Sequence, residues 1–115
     1  MNDDFKRKVM VLAHKYFEYV YEKQEYVYED GNVYVATVDN VLVIEDNRFF
    51  HVHVVFCRNS DEARRIAEAF INMYKLQHDM RIDHFVYAFA DRIITFFHHP
   101  RLFRVYQSRA LPDGE

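Results

Sequence analysis

The stretch from Tyr26 to Cys57, YVYEDGNVYVATVDNVLVIEDNRFFHVHVVFC, decides the fold. Runs of β-branched and aromatic residues alternate in it with three polar pairs, Asp30-Gly31, Asp39-Asn40 and Asp46-Asn47. Asp-Gly favours a two-residue hairpin turn, because both central residues of that turn adopt positive φ, and Asp-Asn is a weaker form of the signal. The stretch therefore predicts a four-strand antiparallel meander with two-residue turns.

Such turns would pair Glu29 with Asn32, Val38 with Val41 and Glu45 with Arg48, and the pairing assigns every side chain to a face of the sheet. One face would hold Val27, Tyr34, Ala36, Val38, Val41, Val43, Phe50, Val52, Val54 and Phe56. The other would hold Tyr26, Tyr28, Val33, Val35, Thr37, Leu42, Ile44, Phe49, His51, His53 and Val55. Neither face is made up mainly of charged residues, as a face in contact with solvent would be. We therefore expect helices or another chain to cover both faces.

Helical periodicity flanks the meander on both sides. Apolar residues recur at helical spacing over residues 4–23, over residues 59–78 after an Asn59 or Ser60 cap, and again from Asp79 or Asp83 to just before Pro100. Residues 102–106 then form a short helix or strand. The predicted fold is a single α+β domain over residues 1–109, in the order helix, four-strand antiparallel meander and two helices (α-ββββ-α-α), with residues 110–115 as a flexible tail. That order is similar to cystatin-like and secretion-chaperone-like modules.

Composition excludes several functional classes. The 115 residues include 2 Gly, 2 Pro and 1 Cys, too few glycines for a phosphate-binding loop and too few cysteines for an internal disulfide. The net charge of −3 provides no basic field for general nucleic-acid binding. An acidic N-terminus, a lone cysteine and the lack of a long apolar run predict a protein of the cytoplasm, in a cell or inside an infected host, that does not contact membranes.

The pair His51 and His53 is the one motif that suggests catalysis. Residues i and i+2 of a strand point the same way, so both imidazoles would lie within chelating reach of one ion. The His-hydrophobe-His pattern resembles the signature of the HUH nucleases, which nick single-stranded DNA. The resemblance implies a divalent metal, Mn²⁺ or Mg²⁺, with Asp46 or Glu45 as third ligand, and a tyrosine that attacks the phosphate. The candidate nucleophiles are Tyr74, Tyr87 and Tyr106.

A second pattern is the basic end of the chain, formed by His98, His99, Arg101, Arg104 and Arg109. It could bind an anion, an acidic protein surface or, less in keeping with the overall charge, a nucleic acid. The simpler interpretation is that these cations complement the dipole at the end of the third helix.

The scarcity of Gly and Pro leaves few long loops on which catalytic groups are usually displayed, and this favours a binding module over an enzyme. We therefore predict a small non-enzymatic protein-interaction module without a cofactor, homodimeric through an aromatic sheet face and able to bind another protein. The contact residues would be Tyr26, Tyr28, Val33, Val35, Phe49, His51 and His53. The metal-dependent nicking enzyme is the alternative.

Overall fold

The computed structural model describes residues 3–108, and the predicted meander is present in it as four consecutive antiparallel strands. The strands are β1 (Tyr26–Glu29), β2 (Val33–Val38), β3 (Val41–Asp46) and β4 (His51–Phe56). Helix α1 (Asp3–Lys23) precedes them, and helices α2 (Ser60–Leu76) and α3 (Ile82–Tyr87) follow. The predicted tail, residues 110–115, lies outside the described residues.

One of the three predicted turns has the expected register. Val38 pairs with Val41 around the Asp39-Asn40 turn, where Asp39 adopts a φ of 51°. In the first turn Glu29 pairs with Tyr34 instead of Asn32, so the turn residues are Gly31, at φ 89°, and Asn32.

The third turn is longer than predicted. Asp46 pairs with His51, and the four residues 47–50 connect the strands, so Glu45 faces Val52 rather than Arg48. The side chain of Asp46 explains the extra length, because its Oδ1 atom accepts the backbone N–H and the Nε–H of Arg48 and holds the chain in a wider turn.

The predicted third helix is wrong beyond Tyr87. Residues 90–108 form a hairpin of β5 (Ala90–His98) and β6 (Arg101–Ser108) instead. Strand β6 lies parallel to β4, which gives a six-stranded mixed sheet in the order β1-β2-β3-β4-β6-β5. The run from Arg92 to Phe97 is rich in β-branched and aromatic residues, and pairing along its whole length with β6 outweighs its helical spacing.

Helices of the same chain cover both faces of the sheet over most of its area. Helix α1 packs on the side that contains Ala36, Val43 and Val52, which we call the α1 face. Helices α2 and α3 pack on the opposite side, which contains Val35 and Ile44 and which we call the α2 face. The predicted division of β2, β3 and β4 into two apolar faces is therefore confirmed.

The described residues form a single α+β domain. Its helix α2 begins as predicted, with the side chain of Asn59 accepting the backbone N–H of Glu62 at 2.8 Å. Within residues 3–108, no helix is long and apolar enough to cross a membrane.

Candidate functional site

The two histidines of the motif lie on β4, in the centre of the sheet, and both face the α2 side. His53 is 2% exposed, and its Nδ1 atom lies 2.8 Å from the hydroxyl oxygen of Tyr106 on the neighbouring strand β6. His51 is half-buried at the start of the strand, with its ring centroid 6.1 Å from that of His53. The strand therefore places both imidazoles on one side, as the spacing predicts.

His53 is a neutral imidazole in this environment. Burial, with a smaller contribution from the neighbouring His51, lowers the pKa of His53 to about 3. Burial also raises the pKa of Tyr106 far above its ordinary value. Both groups of the pair therefore stay uncharged at neutral pH, and the tyrosine keeps its proton.

Two carboxylates lie on the α2 face near the pair, and each is bound by arginine. Asp46 is buried and accepts two side-chain hydrogen bonds from Arg48, to Oδ1 at 2.8 Å and to Oδ2 at 2.9 Å. Asp83, at the start of α3, accepts from Arg81 at 3.0 Å and lies 3.3 Å from Arg104 on β6. Burial opposes ionisation of Asp83, yet its bonds to Arg81 hold its pKa below the ordinary value.

Glu45, the other proposed metal ligand, points to the opposite side of the sheet. It faces α1, where its carboxylate pairs with Arg101 at 2.9 Å and accepts a hydrogen bond from Tyr21. Burial raises the pKa of Glu45, and Arg101 partly offsets that effect. Because adjacent strand residues alternate between faces, Glu45 cannot reach the histidines.

The geometry gives the nicking-enzyme alternative no support. Within residues 3–108 there is no group of three or more His, Cys, Asp or Glu side chains placed to hold a metal ion. Of the candidate nucleophiles, Tyr74 and Tyr106 are fully buried, and Tyr87 is exposed at the end of α3. A nucleophile must reach its substrate, so only Tyr87 is accessible, and it does not line the pocket that contains His51 and His53.

The basic end of the chain does not form one patch. Arg101 and His98 lie on the α1 face, where His98 contacts His14 of α1 with ring centroids 4.1 Å apart. Arg104 lies on the α2 face, and His99 is exposed in the β5–β6 turn. Arg109 lies outside the described residues. The four described residues, His98, His99, Arg101 and Arg104, belong to a β-hairpin, so the helix-dipole interpretation is wrong as well.

The predicted contact residues separate into buried and exposed members. Val33, Val35 and His53 are core residues beneath the helices, and no partner could contact them without displacing a helix. Tyr26 and Tyr28 are half-buried on the edge strand β1. Phe49, 59% exposed, and the half-buried His51 lie at the end of the sheet that the helices leave open.

Residues that the sequence did not single out extend this open end. In the register of the sheet, His51 on β4 lies beside Leu102 on β6, which lies beside Phe97 on β5. Phe97 is 64% exposed, Thr95 beside it is exposed, and the Phe49 ring lies 5.9 Å from that of His51. We call Phe49, His51, Thr95, Phe97 and Leu102 the open patch. The one sequence signal for it is the enrichment of residues 92–97 in β-branched and aromatic side chains.

The chain was compared with protein-family models, with curated proteins and with solved structures, and none of the three comparisons found a match.

Proposed function

We propose that this protein is a non-enzymatic interaction module that associates with a second copy of itself through the open patch. The observation that supports this most strongly is the exposure of two phenyl rings beside one row of the sheet. Phe49 lies in the β3–β4 turn next to His51, and Phe97 ends the row that runs from His51 through Leu102 across β4, β6 and β5. Contiguous aromatic surface of this kind is typical of the centre of protein interfaces.

The free edge of the sheet at β5 also favours association with a second copy. Strand β5 is nine residues long, and no strand within residues 3–108 pairs with its outer side. The opposite edge strand, β1, has only four residues, with Glu25 and Glu29 at its two ends. Short, charged edges resist strand addition, whereas a long edge beside exposed aromatic residues favours it.

The helices cover most of the apolar sheet surface from which the sequence predicted self-association. Once α1, α2 and α3 cover the sheet, the open patch is a part of the α2 face that stays exposed to a partner. A symmetric dimer would use this patch twice, so each substitution in it acts on both copies. Cys57 is buried and single, which supports the further proposal of a reducing, cytoplasmic compartment.

Sedimentation equilibrium of the wild type and of Phe97→Ser tests the proposal. Loss of one phenyl ring from an interface costs about 2 kcal/mol, and symmetry doubles it, so the dissociation constant should rise about a thousandfold. Val11→Ser is the matched control, because Val11 is also 64% exposed but lies on α1. Equal association of both variants would contradict the proposed surface.

A further inference from the structure

A groove between helices α2 and α3 has no role in the proposed function. It reaches Ser108 at the end of β6, whereas the open patch lies at the start of that strand. Its volume is about 850 Å³, within the range of roughly 300–1,000 Å³ that is usual for small-molecule sites. Most of its lining is apolar and comes from Ile66, Ala69, Met73, Phe85, Ala88 and Phe89.

The groove is long because it follows one face of α2. Glu62, Ala69 and Met73 line it at helical spacing. From Glu62 to Met73 the helix rises about 16 Å, at about 1.5 Å per residue. Phe85 and Phe89 form the opposite wall, with their ring centroids 5.5 Å apart. The groove can therefore accommodate an extended apolar chain.

A polar cluster lies at the end of the groove where α2 begins. Glu62 is the only carboxylate that lines the groove within residues 3–108, and its oxygens already have partners. They accept the backbone N–H and the Nε–H of Arg58, at 3.0 and 2.7 Å, and the hydroxyl of Ser108 at 2.6 Å. The Arg58 side chain remains 33% exposed, and its two terminal nitrogens have no hydrogen-bond partner among residues 3–108.

Arg65 supplies a second cation at the same end. It is exposed and forms no ion pair within the described part of the chain. Side chains on a helix lean towards its N-terminus, so the Arg65 guanidinium leans towards Arg58. Asp61 and Glu68 lie beside Arg65 in a separate surface depression and do not line the groove. Two guanidinium groups against one carboxylate leave this end with a balance of one positive charge.

We propose that the groove binds a long-chain carboxylic acid, with the carboxylate at Arg65 and Arg58 and the alkyl chain along Ala69 and Met73. The guanidinium groups suit this head group, because an arginine can donate two parallel hydrogen bonds to a carboxylate. The apolar lining suits the chain, because removal of each methylene group from water is favourable. This proposal does not depend on self-association.

Dodecanoate is a suitable probe, because its extended chain is about as long as the groove. Calorimetric titration of the full chain at neutral pH, below the micelle concentration, should show saturable binding at one site. NMR should then show shifts of the methyl resonances of Ala69, Met73 and Ala88. Dodecyltrimethylammonium has the same chain with a cationic head group, and it should bind at least about tenfold more weakly. Equal binding of the two amphiphiles would overturn the proposal, and so would a lack of saturable binding, the result expected if the groove instead receives a segment of a partner protein.

Variants at exposed positions of α2 assign the site without disturbing the core. Arg65→Gln should weaken dodecanoate binding about tenfold, whereas Arg64→Gln removes the same charge outside the groove and should bind like the wild type. Ala69→Phe fills the groove and should abolish binding, whereas Asn72→Phe places the same ring outside it and should not. If either control variant weakened binding as much as its partner variant, the effect would not belong to the groove and the proposal would fail.

Discussion

Acidification should destabilise this protein through His53. The imidazole has an ordinary pKa of 6.5, and burial lowers it to about 3 in the folded chain. Between these two values the unfolded chain binds a proton that the folded chain does not bind. The stabilisation is complete above the ordinary value and is lost as the pH falls through this window.

The size of the effect follows from the width of the window. At about pH 5, roughly one and a half pH units below the ordinary value, the loss is about 2 kcal/mol, since each unit is worth about 1.4 kcal/mol. That is a substantial part of the roughly 5–15 kcal/mol by which a domain of this kind is usually stable. His14 acts in the same direction, because burial and His98 lower its pKa.

Urea unfolding at neutral pH and at about pH 5 measures the loss directly. The variant His53→Gln removes the titrating group. Between neutral pH and about pH 5, its free energy of unfolding should therefore fall by about 2 kcal/mol less than that of the wild type. The contributions of His14 and of Glu45, whose pKa burial raises, are common to both proteins and cancel in the difference.

An NMR titration of the wild type checks the same reasoning without a variant. The His53 ring should remain neutral down to the pH at which the protein unfolds. A ring that titrates near 6.5, together with an unfolding free energy that is unchanged at about pH 5, would refute the account of a buried neutral imidazole bonded to Tyr106.

Three further predictions concern local structure. Arg48→Met should lower the free energy of unfolding by about 3 kcal/mol in urea titrations, because it leaves the buried carboxylate of Asp46 unpaired, and Asp46→Asn in the same chain should restore part of it. Gly31→Ala should cost about 1 kcal/mol by thermal unfolding, since the strain comes from φ 89° and not from crowding, and Gly31→Asn should cost less. Asn59→Ala should cost about 1 kcal/mol through loss of the bond to the Glu62 N–H, and Asn59→Ser should retain most of the stability.

The meander and its two faces could be predicted from the sequence because turn chemistry and alternation are local signals. The register of the first and third turns was wrong, yet each error was an even number of residues. An even shift leaves every side chain on its face, so the assignments of Val35 and Val43 survived.

The β5–β6 hairpin could not be predicted in the same way. The apolar residues from Ile82 to Phe97 satisfy helical spacing, and the strand depends on pairing with β6, which in turn pairs with β4 about fifty residues earlier in the chain. This one error hid Phe97 and Leu102. It also made the buried His53 look available to a partner, because its contact with Tyr106 on β6 depends on the same tertiary packing.

Sedimentation equilibrium of the wild type at micromolar concentrations tests the central claim most directly. Association through the open patch predicts a mass twice that of the 14.0 kDa chain, falling towards the monomer on dilution and absent in Phe97→Ser. A mass of 14.0 kDa at every concentration, for both the wild type and the variant, would contradict the claim that this surface binds a second copy.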